Sequence, residues 1–182
     1  MKRIIPVKKE LLASKDKTIG DIIKHELKVL FCGINPGLFS AYSGFHFGRP
    51  GNRFWKALYM GGFTDRLFNP SEQQELVDYG YGITNMVDRA TLSAAELTLQ
   101  EYTTGGIKLR EKIKKYKPEW CAFVGIEAYR KAFNKPHAIV GKQPEPIGDT
   151  NIWVLPSPSG LNAHYTPIML AEVFAELKAV ID

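Results

Sequence analysis

Three short runs of almost uninterrupted apolar residues constrain this chain more than anything else in it. Lys28-Val29-Leu30-Phe31-Cys32-Gly33-Ile34, Trp120-Cys121-Ala122-Phe123-Val124 and Ile152-Trp153-Val154-Leu155 each stop at a turn signal rich in Gly, Pro or Asn. A strand that is apolar at consecutive positions is buried on both faces, the pattern of a parallel sheet covered by helices. A weaker fourth run is Gly80-Tyr81-Gly82-Ile83-Thr84. Helical segments are expected between the runs. Asn52 can cap a helix carrying Phe54, Trp55, Leu58 and Tyr59, and Asn69-Pro70-Ser71-Glu72 has the cap, first-turn proline and third-position acid of another. Helical spacing also runs from Ile107 to Tyr116, and again from Thr166-Pro167 through Leu170, Phe174 and Leu177. Strands alternating with helices predict a single-domain α/β fold, a three-layer α/β/α sandwich around a short, mostly parallel sheet. Residues 1–20 read as an N-terminal accessory arm and 21–182 as the domain itself.

Composition narrows the classes. The chain has 182 residues, 45% of them hydrophobic and 24% charged, which excludes disorder as its main state. No stretch reaches the roughly 20 apolar residues of a membrane span, and the basic start lacks the apolar core of a secretory signal, so a cytoplasmic protein without a membrane partner is expected. Two cysteines, Cys32 and Cys121, cannot build a disulfide scaffold, and both read as inert core. Four scattered histidines without ligand spacing argue against a metal site. The net charge of +5 suits a polyanionic partner without requiring one.

In a parallel α/β sheet, ligands sit beyond the carboxyl ends of the strands. Three loops leave those ends: residues 35–53, 85–91 and 156–165. Gly33-Ile34-Asn35-Pro36-Gly37 holds Asn35 in extended geometry before a proline, where its carboxamide can orient a water but cannot take a proton; the plainer reading is a strand-to-loop turn. Residues 43–53 mix Phe45, His46 and Phe47 with glycines and two arginines, Arg49 and Arg53, which suits a planar ligand between aromatic faces or a loop pinned to the core. Asn85 can offer both donor and acceptor to a base edge, or form a turn. Leu161, at the tip of Pro156-Ser157-Pro158-Ser159-Gly160-Leu161-Asn162, is either a wedge for a base stack or a core anchor. Lys108, Lys112 and Lys115 share a helix face that is solvated or meets phosphate.

Taken in order, the motifs around Asn35, Gly44-Phe45-His46-Phe47, Gly51-Asn52-Arg53-Phe54-Trp55-Lys56, Ile83-Thr84-Asn85-Met86-Val87-Asp88-Arg89 and Pro156-Ser157-Pro158-Ser159-Gly160-Leu161 resemble the mismatch-specific uracil-DNA and thymine-DNA glycosylase family, from about Ile22 to the last helix. The resemblance implies a monomeric, monofunctional base-excision repair enzyme that needs no metal or cofactor. It would hydrolyse uracil or thymine, with etheno-cytosine a further candidate, from mispairs with guanine in double-stranded DNA. A non-catalytic damage-recognition module is the alternative. By the same resemblance Asn35 positions the water, Phe47 stacks on the extruded base, and backbone around Ile34 reads its edge. Asn85 contacts the base, Thr91 lies near the water, and Ser40 lines the space around pyrimidine C5. Ser159, Gly160, Leu161 and Asn162 enter the duplex and meet the orphaned guanine. A more distant branch of uracil glycosylases carries an aspartate and a histidine where this chain has Asn35 and Leu155, and some bacterial mismatch enzymes have an arginine where Ala163 stands.

Overall fold

A computed structural model describes residues 6–182. The four apolar runs are the four parallel strands: β1 (Val29–Gly33), β2 (Tyr81–Asn85), β3 (Trp120–Val124) and β5 (Asn151–Leu155). With the short antiparallel β4 (Gly141–Lys142) they form one sheet in the order β2-β1-β3-β5-β4. Burial is continuous along the inner strands, yet alternate residues serve different layers. Val29, Phe31, Tyr81, Ile83, Trp120, Ala122, Val124, Trp153 and Leu155 pack on one face, whereas Cys32, Cys121, Phe123, Ile152 and Val154 pack on the other.

Helices α3 (Phe54–Met60) and α6 (Pro167–Ile181) cover the first face. Phe31 lies at its centre, edge-on to Phe54, Phe63 and Tyr81 and parallel to Phe174. Helices α4 (Leu99–Tyr116) and α5 (Ile126–Phe133) cover the second through Tyr102, Leu109, Ile113 and Tyr129. The expected three-layer sandwich is therefore observed. The α4 helix begins two turns before the apolar periodicity does, where Thr98 and Glu101 form a reciprocal capping box. The segment capped by Asn69 is a 3-10 helix, Pro70–Tyr79, rather than an α-helix. Among the described residues no helix is long and apolar enough to cross a membrane.

Residues 1–5 of the predicted arm lie outside the described residues. The rest of the arm holds α1 (Lys8–Leu12), which packs against α2 (Leu38–Ser43), and Asp16 N–H donates to the Ala90 carbonyl. The sheet register aligns the strand ends: Gly33 pairs with Asn85, Cys32 with Phe123 and Val124 with Leu155. The three loops singled out in the sequence therefore emerge side by side.

Candidate active site

A cavity of about 180 Å3 opens at that edge of the sheet. It is smaller than the roughly 300–1,000 Å3 of sites for drug-sized ligands and fits a single ring. Ile34, Asn35, Ser40, Phe47, Asn85, Thr91 and Ser159 all line it. Among the described residues no lysine, aspartate or glutamate does.

Asn35 is placed by a short backbone zipper. Thr91 N–H donates to the Pro36 carbonyl, and Gly37 pairs with Thr91 in an isolated parallel bridge. The Asn35 Nδ2 group then lies 2.8 Å from Thr91 Oγ1, 3.0 Å from the Arg89 carbonyl and 3.2 Å from the Pro36 carbonyl. Two carbonyls can only accept, so the amide nitrogen must face them and Oδ1 is left as the free acceptor. Thr91 is itself only 1% exposed. The Arg89 carbonyl is held in turn, because the Arg89 guanidinium forks onto Glu101 at 2.5 and 3.2 Å. That guanidinium, with the Thr98 N–H, pulls the Glu101 carboxyl down to about 2.

On the opposite wall, Asn85 ends β2 and its Nδ2 reaches His46 Nδ1 at 3.4 Å. The Nε2 of His46 lies 2.9 Å from the Gly20 carbonyl, so Nε2 carries the proton and Nδ1 accepts from Asn85. Burial keeps the imidazole neutral by lowering its pKa. One Asn85 N–H is thereby occupied, which aims the remaining N–H and Oδ1. Both Asn85 and Phe47 lie over Gly33. A Cβ there would stand 2.6 Å from Asn85 Oδ1 and 3.2 Å from Phe47 Cζ, so the site needs a residue without a side chain. Phe47 has φ +51°, a left-handed conformation that costs a bulky residue about 1–3 kcal/mol and marks functional sites when it persists. In this position its ring stacks on Phe54, 3.9 Å between centroids, and lines the cavity. Ser40 Oγ accepts from Gly48 N–H and so ties the aromatic loop to α2.

The third loop stands at the rim. Ser159 reaches the cavity, and Gly160 and Leu161 line an adjoining cleft with Arg49. Leu161 is 78% exposed, so it is no core anchor. Asn162 is consumed inside the loop, its Nδ2 donating to the Ser157 carbonyl and its Oδ1 accepting from His164 N–H. The Asn162 amide therefore braces the loop.

Sequence reasoning missed His46, Gly33 and Arg53 as individual contributors. It also placed Ile19 and Gly20 in the arm, although Ile19 lines the cavity and Gly20 fixes His46. Lys112 is half-buried and its ammonium is engaged within the protein: it pairs with Asp21 at 2.5 Å and donates to Thr84 Oγ1. Cys32 and Cys121 are buried, and desolvation raises both thiols far from reactivity.

The site is thus a small slot with an exposed leucine, Leu161, beside its mouth. A recess of that size and lining can take one heterocyclic ring. Comparison with known proteins supplies the family. Residues 21–178 match the uracil DNA glycosylase superfamily, and the chain belongs to it as a DNA glycosylase. It is also similar to the solution NMR structure of a candidate uracil DNA glycosylase from Methanosarcina acetivorans. That match has 17% identity and a TM-score of 0.59, and covers 90% of this chain and 98% of that one. At that identity it speaks for the fold.

Proposed function

We propose that this glycosylase is monofunctional and removes uracil from mispairs with guanine in double-stranded DNA, within the mismatch-specific uracil- and thymine-processing branch; thymine and etheno-cytosine opposite guanine are its further candidate bases. The observation that carries the reading is the Asn35 amide, whose nitrogen is spent on three protein acceptors so that its oxygen faces a slot sized for one base.

The reaction follows from what the slot lacks as much as from what it holds. With no carboxylate in the lining, no strong general base can deprotonate water before attack. The C1′–N1 bond therefore breaks first, its electron pair leaving with the pyrimidine as an anion while positive charge spreads over the sugar. The Asn85 amide, held by His46, donates to that anion, and fixed donors of this kind are worth roughly 10²–10³ in rate. Water held on Asn35 Oδ1 then adds to C1′ and its proton ends on the free base, leaving a hydroxyl at C1′. Asn35 contributes placement, not proton transfer. Among the described residues no lysine lines the slot, which supports a mechanism without a Schiff base to the sugar. A mispaired base is less costly to extrude, as for glycosylases in general, and this supports preference for mispairs.

Single-turnover cleavage of oligonucleotides carrying G·U, G·T, G·etheno-cytosine, A·U and single-stranded uracil tests this. The expected order puts G·U first, with an alkali-labile abasic product and no borohydride-trapped adduct. Equal rates on A·U and G·U would overturn the mispair preference, a trapped adduct the monofunctional mechanism. Mispair binding without any abasic product would make the protein a recognition module instead.

A further inference from the structure

The two arginines of the aromatic loop do different work. Arg49 is exposed at the cavity mouth, whereas Arg53 turns inward beneath the third loop. Its backbone N–H and its Nε both reach the Pro158 carbonyl, at 3.0 and 3.4 Å. Its Nη1 donates to the Tyr165 carbonyl at 2.5 Å, and its Nη2 to the carbonyls of Ser159 and Asn162 at 2.5 and 3.0 Å. One guanidinium thus gathers four carbonyls from both sides of Leu161, and no carboxylate lies within ion-pairing distance of it among the described residues. The seat is tight as well: a Cβ on Gly160 would lie 2.8 Å from the Gly51 carbonyl.

We propose that Arg53 is a positioning residue for duplex invasion, holding residues 158–165 in their inserting shape before DNA arrives. The inference rests on the proposed function and on the duplex-entering role that the family resemblance implies for Leu161. Unstacking a base step is costly, and ordering a loose loop adds the conformational entropy of every residue it fixes. A loop ordered in advance escapes the second cost. The planar fork is what allows one side chain to reach several carbonyls, so lysine, a point charge, does not replace it.

Two readouts on the whole protein test this. The first is single-turnover excision from a G·U duplex and from single-stranded uracil. The second is the fluorescence of 2-aminopurine placed beside a non-hydrolysable 2′-fluoro-deoxyuridine opposite guanine, which reports extrusion without chemistry. Arg53→Gln is expected to lower duplex excision ~30-fold, to abolish the fluorescence rise and to leave single-strand excision within ~3-fold. Arg53→Lys should recover little of either loss. Arg53→Gln combined with Leu161→Ala should be no slower on the duplex than the slower single variant, since the two act as one unit. Equal loss on both substrates, a retained fluorescence rise or multiplying effects would each overturn the proposal. If Arg53→Gln does not fold, Arg53→Lys is read against the same criteria. A wild type that extrudes without excising would reject the proposed function while leaving this inference standing on the fluorescence alone.

Discussion

The slot around Asn35 and the loop around Leu161 leave the same edge of one sheet, yet they are specified in opposite ways. In the slot the important atoms belong to buried or half-buried side chains held by hydrogen bonds and close packing. Thr91 is 1% exposed and Asn85 9%, and a single Cβ at position 33 would strike Asn85 and Phe47 at once. In the loop the important group is left out in water, and rigidity comes from carbonyls gathered by a guanidinium underneath. On the proposed function this is a division of labour, with chemistry set by side-chain hydrogen bonds inside the domain and access to the substrate by backbone shape at its surface. Changes in the slot should therefore damage excision on every substrate, and changes in the loop only where a stack has to be opened.

The sharpest blow to the slot is Asn35→Ala. It removes the amide oxygen proposed to hold the water while leaving the DNA-facing surface intact, so single-turnover excision should fall ~10²-fold or more with mispair binding within ~3-fold. An unchanged rate would place the water elsewhere and remove the basis for treating the slot as the chemical half of the pair.

Gly33→Ala separates the slot from the fold. Gly33 does not have a positive φ, so alanine suits the β1 backbone, and the collision falls on Asn85 Oδ1 and Phe47 Cζ alone. Excision should drop ~10–10²-fold on single- and double-stranded uracil alike, while stability falls by no more than ~1–2 kcal/mol in a urea melt. A loss confined to the duplex would contradict the division drawn above. Leu161→Ala is its mirror image. The side chain is exposed, so stability should stay within ~0.5 kcal/mol, while duplex excision falls ~10-fold and more than single-strand excision does. An equal loss on both substrates would move Leu161 into the slot's half of the comparison.

The same contrast explains what could be read from the sequence. The four parallel strands were legible because burial on both faces writes itself as consecutive apolar residues, and the predicted runs overlap the observed strands residue for residue over most of their length. The residues of the slot were legible through the resemblance, and the structure brings all of Ile34, Asn35, Ser40, Phe47, Asn85 and Thr91 to one cavity. What stayed hidden depends on distant partners. His46 reads as one aromatic among several until Gly20 and Asn85 are found on its two nitrogens. Arg53 reads as a basic loop residue until four carbonyls more than a hundred positions away are seen around it. The first turns of α4 were hidden for a local reason: Gly105-Gly106 resembles a break, but a Cβ at 105 would lie 2.2 Å from the Met86 carbonyl, so glycine there marks close packing.

His46 offers the mildest test, and it touches the slot alone. Desolvation lowers its pKa because the cation is the form that burial penalises, opposed by the Gly20 carbonyl and by Asp21. Folding therefore favours the neutral ring, and its contribution to stability is complete above the ordinary value of about 6.5 and declines as pH falls from there to the lower folded value. Protonation would also put an N–H at Nδ1, facing the Asn85 N–H that now donates to it, and the amide would lose its aim. Excision should accordingly be flat above about pH 6.5 and fall on an acid limb with a midpoint below that value, on single- and double-stranded uracil alike. In His46→Gln, whose amide does not titrate, the rate should be lower by a few-fold at neutral pH and the acid limb should vanish. A limb that persists unchanged in His46→Gln would assign the titration to another group, and a limb seen only on duplex DNA would assign it to the loop rather than the slot.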